Sequence, residues 1–156
     1  MSTTRRDLLL ASLLALLGLT WPKGSEAGGE ILAVIVNKAN PATSLSQNEL
    51  RPIFQTTKKV WSSGEDAMPI NLPEDSSLRN DFDQAVLGLD PERVARYWTD
   101  RKVRGGARPP VRVPNAASVM RAVAAKPGAV GYVRLSDVNN SVKVVAKISG
   151  GRLTGP

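Results

Sequence analysis

The order of apolar and polar positions divides the chain beyond residue 27 into short alternating elements. Residues 31–36 form an unbroken apolar run rich in β-branched side chains and stopped by Asn37, which predicts a buried strand. Asn40-Pro41 breaks the run. Ser46 and Glu49 have capping-box spacing, in which hydroxyl and carboxylate each satisfy a free backbone N–H at a helix start. The helix carries Leu50, Ile53 and Phe54 on one face and ends before Lys58-Lys59. Pro52 stands near its start, where a missing N–H costs least. Residues 68–72 predict a second strand, with Pro69 confining it to an edge or marking the strand start. A turn over 73–77 opens a second helix, with Leu78, Phe82, Ala85 and Val86 at helical spacing and Gly88 closing it. Asp90-Pro91 starts a third helix whose apolar face is Val94, Tyr97 and Trp98. Residues 104–110, rich in Gly and Pro, read as an ordered loop, and 111–113 as a short strand. Asn115 caps a fourth helix with Ala116, Val119, Met120 and Val123 inward, ended by Pro127-Gly128. Residues 129–133 and 142–148 predict two more strands, and 149–156 a flexible tail. Interleaved strands and helices place the chain in the α/β class, a small mixed sheet flanked by helices.

Residues 1–27 read as an export signal to be set aside from the fold. Arg5 and Arg6 give a charged start, and the apolar stretch 8–19 falls short of the roughly 20 residues a spanning helix needs. Ser25-Glu26-Ala27 puts small residues where a signal peptidase reads. Arg5-Arg6 fits a twin-arginine signal and also an ordinary secretory signal. Cleavage after Ala27 leaves a domain over 28–148 and a periplasmic or secreted product.

Composition narrows the chemistry. At 156 residues and 42% hydrophobic, the chain holds one domain's core. It contains neither cysteine nor histidine, which excludes disulfides and thiolate nucleophiles and removes the commonest general base and metal ligand. Aromatics make up 4%, too few to supply stacking platforms for single-stranded nucleic acid. Glu74-Asp75 and the Asp81/Asp83 pair read as solvent-facing charges rather than an acid–base pair. No motif sets up an activated nucleophile, so the reading is non-enzymatic, without metal or cofactor. The formal charge of +7 favours small anions or acidic partners, with nucleic acid not expected.

Two predicted helix starts, Ser76-Ser77 and Asn115, combine free N–H groups with a positive dipole end, the makings of an anion seat. Ser and Asn are equally the ordinary caps of helices that bind nothing. Between 93 and 112 stand Arg93, Arg96, Arg101, Lys102, Arg104, Arg108 and Arg112, with Glu92 and Asp100 to offset them. The segment reads either as a solvated face or as a positive rim that attracts anions.

With these residues in place, the chain resembles the phosphate substrate-binding proteins of ABC transporters, which have the periplasmic-binding-protein type II fold. The likeness rests on the strand from Ile31 to Asn37, on Leu45-Ser46, Leu50 and Ile53-Phe54 followed by Trp61, on Met68 to Leu72 followed by Ser76-Ser77, and on Gly128-Ala129-Val130-Gly131-Tyr132-Val133. It implies one lobe of that two-lobed fold, recognising a small oxyanion, phosphate first, at Ser76 and Ser77, with Asn115 a looser match. The arginine the family places before its Ser-Gly-Thr run is absent here, and Arg79 or Arg104 stands in for it. The resemblance also implies a partner: a transporter membrane component, or a second copy completing the cleft. The other reading keeps the lobe and drops the ligand, making an accessory module of an envelope assembly.

Overall fold

A computed structural model of the chain describes residues 29–156. The predicted export signal lies outside the described residues. The elements are β1 (Leu32–Asn37), α1 (Gln47–Phe54), β2 (Met68–Asn71), α2 (Ser77–Val86), α3 (Pro91–Val103), β3 (Val111–Arg112), α4 (Ala116–Ala125), β4 (Ala129–Arg134), a 3-10 turn (Leu135–Asp137), β5 (Val142–Ser149) and β6 (Arg152–Thr154). The strands form one mixed sheet in the order β3-β2-β4-β1-β5-β6. β2 runs parallel to β3 and β4, while β1 is antiparallel to both β4 and β5. The expected α/β class and mixed sheet are what the chain forms.

β1 lies inside the sheet and is covered on both faces, which is why all six of its residues are buried and its sequence shows no alternation. β4 displays the two layers. Successive strand residues face opposite sides. Tyr132 stacks on Phe82 of α2, ring centroids 3.9 Å apart, with Phe54 of α1 at 6.1 Å. Its neighbour Gly131 sits under α4, where a Cβ would come within 2.6 Å of Val119. α1 and α2 therefore cover one face and α4 the other. Asn37, at the end of β1, donates through Nδ2 to Val123 O (2.8 Å) and Ala124 O (2.9 Å), satisfying carbonyls of the last turn of α4.

Several expectations need correction. The tail is not frayed: β5 continues to Ser149, and β6 pairs back on it from Arg152 to Thr154 across Gly150 and Gly151. Both glycines have positive φ, a conformation L-residues rarely adopt, so a turn was written in what read as a loose end. The expected capping box does form at the start of α1, between Ser46 and Glu49. The Glu49 carboxylate accepts from the Ser46 N–H (2.8 Å) and the Ser46 hydroxyl (2.7 Å), and these bonds hold its pKa below the ordinary value. The α3 face expected from Val94, Tyr97 and Trp98 buries Val94 alone. Tyr97 and Trp98 meet edge to face at the surface, with the Arg101 guanidinium 5.6 Å and 5.7 Å from their rings. Pro69 lies within a strand that has neighbours on both sides, yet β3 pairs with β2 only at Ile70 and Asn71. At Pro69 itself the strand is still an edge toward β3, which accommodates the missing N–H.

Candidate functional site

β2 and β3 are parallel neighbours, so their carboxyl ends, and the α2 and α4 starts that follow them, lie along one edge of the sheet. Ligands of open α/β sheets gather at such edges. A cleft of about 730 Å³ opens here. Its floor is Asn71 at the end of β2 and Arg79 and Asp83 on α2, and one wall is α3. The opposite wall is the loop leading to β3, with Arg108, Pro109 and Pro110, and Arg112 follows in β3 itself.

The floor is an unusual concentration of buried polarity. Asn71, Arg79 and Asp83 are 5%, 6% and 4% exposed. Arg79 Nε donates to Asp83 Oδ2 at 3.4 Å, and its Nη1 donates to the Leu72 carbonyl at 3.2 Å. The Tyr132 hydroxyl donates to Asn71 Oδ1 (2.7 Å) and accepts from the Leu72 N–H (3.3 Å). The Phe82–Tyr132 stack thus fixes the hydroxyl that fixes the end of β2. Among the described residues, Nη2 of Arg79, Nδ2 of Asn71 and Oδ1 of Asp83 find no hydrogen-bond partner. None of the three atoms is sealed from solvent, since Thr56 Oγ1 is the one fully enclosed side-chain polar atom lacking a partner among those residues. All three residues line the cleft.

Burial raises the Asp83 carboxyl to about 6 against the pull of Arg79, and burial likewise pushes the Tyr132 hydroxyl up. Asp83 therefore binds its proton more tightly in the folded chain than in the unfolded one. The stability it contributes is complete below the ordinary carboxyl value of 3.8 and is lost as pH rises through about 6. Lowering the pH from about 7.5 to about 5 is expected to raise unfolding free energy by about 1.4 kcal/mol, one pH unit of one proton's linkage. With no histidine or cysteine in the chain, that window belongs largely to Asp83. Denaturant titrations at the two pH values check this, and Asp83→Asn should flatten the slope.

The residues singled out from sequence are dispersed. Arg79 lies in the cleft floor. Ser76 is the N-cap of α2, its hydroxyl accepting from the Arg79 N–H at 3.4 Å, and Ser77 is exposed in the first turn. Neither serine lines the cleft. Asn115 caps α4 in the same way, Oδ1 accepting from the Ser118 N–H at 2.9 Å. Arg104 is the exposed C-cap of α3 and does not line the cleft either. Of the cationic segment, Arg108 and Arg112 reach the rim. Asp83 corrects an expectation: it is not solvent-facing but buried against Arg79. The signal was present, since Arg79 and Asp83 are spaced i,i+4 directly beside the apolar Leu78–Phe82 pair. Among the described residues no group of three or more carboxylates, histidines or cysteines converges for a metal, and no helix is long and apolar enough to cross a membrane.

A family model described as a PBP superfamily domain matches residues 25–155. No curated protein matches the chain significantly. Among solved structures, an ABC-type phosphate transport receptor from Vibrio cholerae is 20% identical with a TM-score of 0.59, the match covering 74% of this chain and 46% of the receptor. PstS from Borrelia burgdorferi is 16% identical with a TM-score of 0.59 over the same shares of the two chains. The chain thus spans about half the length of the solved structures it is similar to, and the likeness is one of fold.

Proposed function

The chain belongs to the PBP superfamily domain family, and on that premise we propose that it is an exported, non-enzymatic solute-binding domain that recognises a small oxyanion, phosphate first. The observation that carries this reading is the convergence of three buried polar side chains, Asn71, Arg79 and Asp83, on one cleft with Arg108 and Arg112 at its mouth. Arg79 is then the stand-in arginine. Held by Asp83 and the Leu72 carbonyl, it presents Nη2 at no further cost in side-chain entropy. Arg108 forms no ion pair among the described residues, whereas Arg112 is within 3.3 Å of Glu74. The α2 start with Ser76 and Ser77, and the α4 start at Asn115, stand along the same sheet edge and add their positive dipole ends. The solved phosphate transport receptor, 46% of which the match covers, supports phosphate as the first ligand to try. In this reading a second copy or a transporter membrane component closes the open side.

Thermal unfolding with phosphate, sulfate and other oxyanions at millimolar concentration tests the reading. Phosphate is expected to raise the melting temperature as its concentration exceeds Kd. The exposed pair Arg108→Ala/Arg112→Ala should shrink that shift while leaving the ligand-free midpoint nearly unchanged. A midpoint unmoved by every oxyanion would remove the proposal. It would favour the same lobe as an accessory module of an envelope assembly, a reading supported by α3, where one residue of thirteen is buried.

A further inference from the structure

The floor of the cleft is polar, but its α3 side is not. Val94, Ala95 and Trp98 present apolar surface there, and Pro109 and Pro110 face them from the loop. Inorganic phosphate has nothing to place against a tryptophan, and at about 730 Å³ the cleft far exceeds an ion of five heavy atoms. Trp98 is also held ready. Its ring meets Tyr97 at 81° and the Arg101 guanidinium at 5.7 Å, and Arg101 is tied to the Gln55 carbonyl at 2.9 Å. A half-buried aromatic, fixed by its neighbours and bordering unpartnered hydrogen-bonding atoms, has the form of a site that takes an apolar body with one polar end.

We infer that the ligand of this cleft is an organic oxyanion, a phosphonate or phosphate monoester. Its anionic head lies against Arg79, Asn71 and the rim arginines, and its apolar substituent packs between Trp98 and Pro109-Pro110. This rests on the oxyanion reading above and names the ligand class for the same cleft. The charges agree. Arg79, Arg108 and Arg112 against Glu74 and Asp83 leave one net positive charge in the lining, enough to favour an anion without the dense field that a bare multivalent ion would exploit. The substituent gains by leaving water, and covering one face of a phenyl ring corresponds to roughly a tenfold gain in affinity.

Isothermal titration of the full chain with inorganic phosphate and with phenylphosphonate, which has no hydrolysable P–O–C bond, decides the matter. Phenylphosphonate is expected to bind roughly tenfold more tightly than phosphate. Trp98→Ala should abolish that preference while leaving phosphate affinity unchanged, and Trp98→Phe should restore most of it. Equal affinity for the two, or binding of phosphate alone, overturns this inference and leaves the oxyanion reading standing. A preference that survives Trp98→Ala also overturns it, because the apolar contact would then lie elsewhere. Binding of neither ligand overturns both.

Discussion

Arg79→Met is expected to lower folding stability by about 3–5 kcal/mol, measured by denaturant unfolding at neutral pH, because it strands a buried carboxylate. Asp83 is 4% exposed and faces Arg79 Nε at 3.4 Å. With the guanidinium gone, the carboxylate must stay charged without a counter-ion or take up a proton. Its pKa should then climb above its present value of about 6, since Arg79 is what now holds it down. The variant's stability should consequently fall more steeply as pH rises through neutrality. The double variant Arg79→Met/Asp83→Leu removes both charges together and should recover most of the loss, as replacement of buried ion pairs by apolar groups often does. Phosphate binding should be absent from both. Recovery of stability without recovery of binding would separate the structural role of the pair from its role in the cleft. A single variant as stable as the parent would show that Arg79 is not the counter-ion of Asp83.

The second large effect lies far from the cleft. In Gly128→Ala, the new Cβ would stand 1.8 Å from the Asp66 carbonyl oxygen and 3.0 Å from its carbon, both backbone atoms that no side-chain rotation relieves. The Gly128 carbonyl also accepts from Trp61 Nε1 at 2.9 Å and from the Met68 N–H at 2.9 Å, where β2 meets β4. Moving the segment to admit a methyl group therefore breaks the buried indole bond as well. A loss of about 3 kcal/mol or more is expected. Thermal unfolding, with tryptophan fluorescence reporting on Trp61, would measure it. A change under 1 kcal/mol would mean that the Trp61 loop yields freely.

Features whose physics is local could be read from the chain. The β1 run, the caps at Ser76, Asp90 and Asn115 and the amphipathic faces of α1, α2 and α4 depend on residues within one or two turns, and they stand where periodicity puts them. What could not be read depends on distant partners. Tyr and Trp at 97 and 98 have the spacing of a core face, but α3 rests on the margin of α2 and leaves them half-covered. Asp83 looks like any helix-surface acid until Asn71 and Tyr132, from two neighbouring strands, close over the same spot. The cleft was half visible for the same reason. Arg79 stands out as a cation near a helix start, and helix spacing alone sets Asp83 beside it, while the loop prolines opposite are brought to it only by the assembled sheet and α3. Ser76 stood out for its hydroxyl, which the helix itself uses.

The position of β1 bears on how the molecule is made. Its two neighbours, β4 and β5, are synthesised about a hundred residues after it, so a long stretch of chain must follow before β1 has anything to pair with. Among the described residues, the first strand to be made is thus an apolar, β-prone segment that waits longest for shelter. Such far-flung pairing slows folding and lengthens the interval in which chains can adhere to one another. Until β4 and β5 have been translated, this apolar strand has neither of its sheet neighbours.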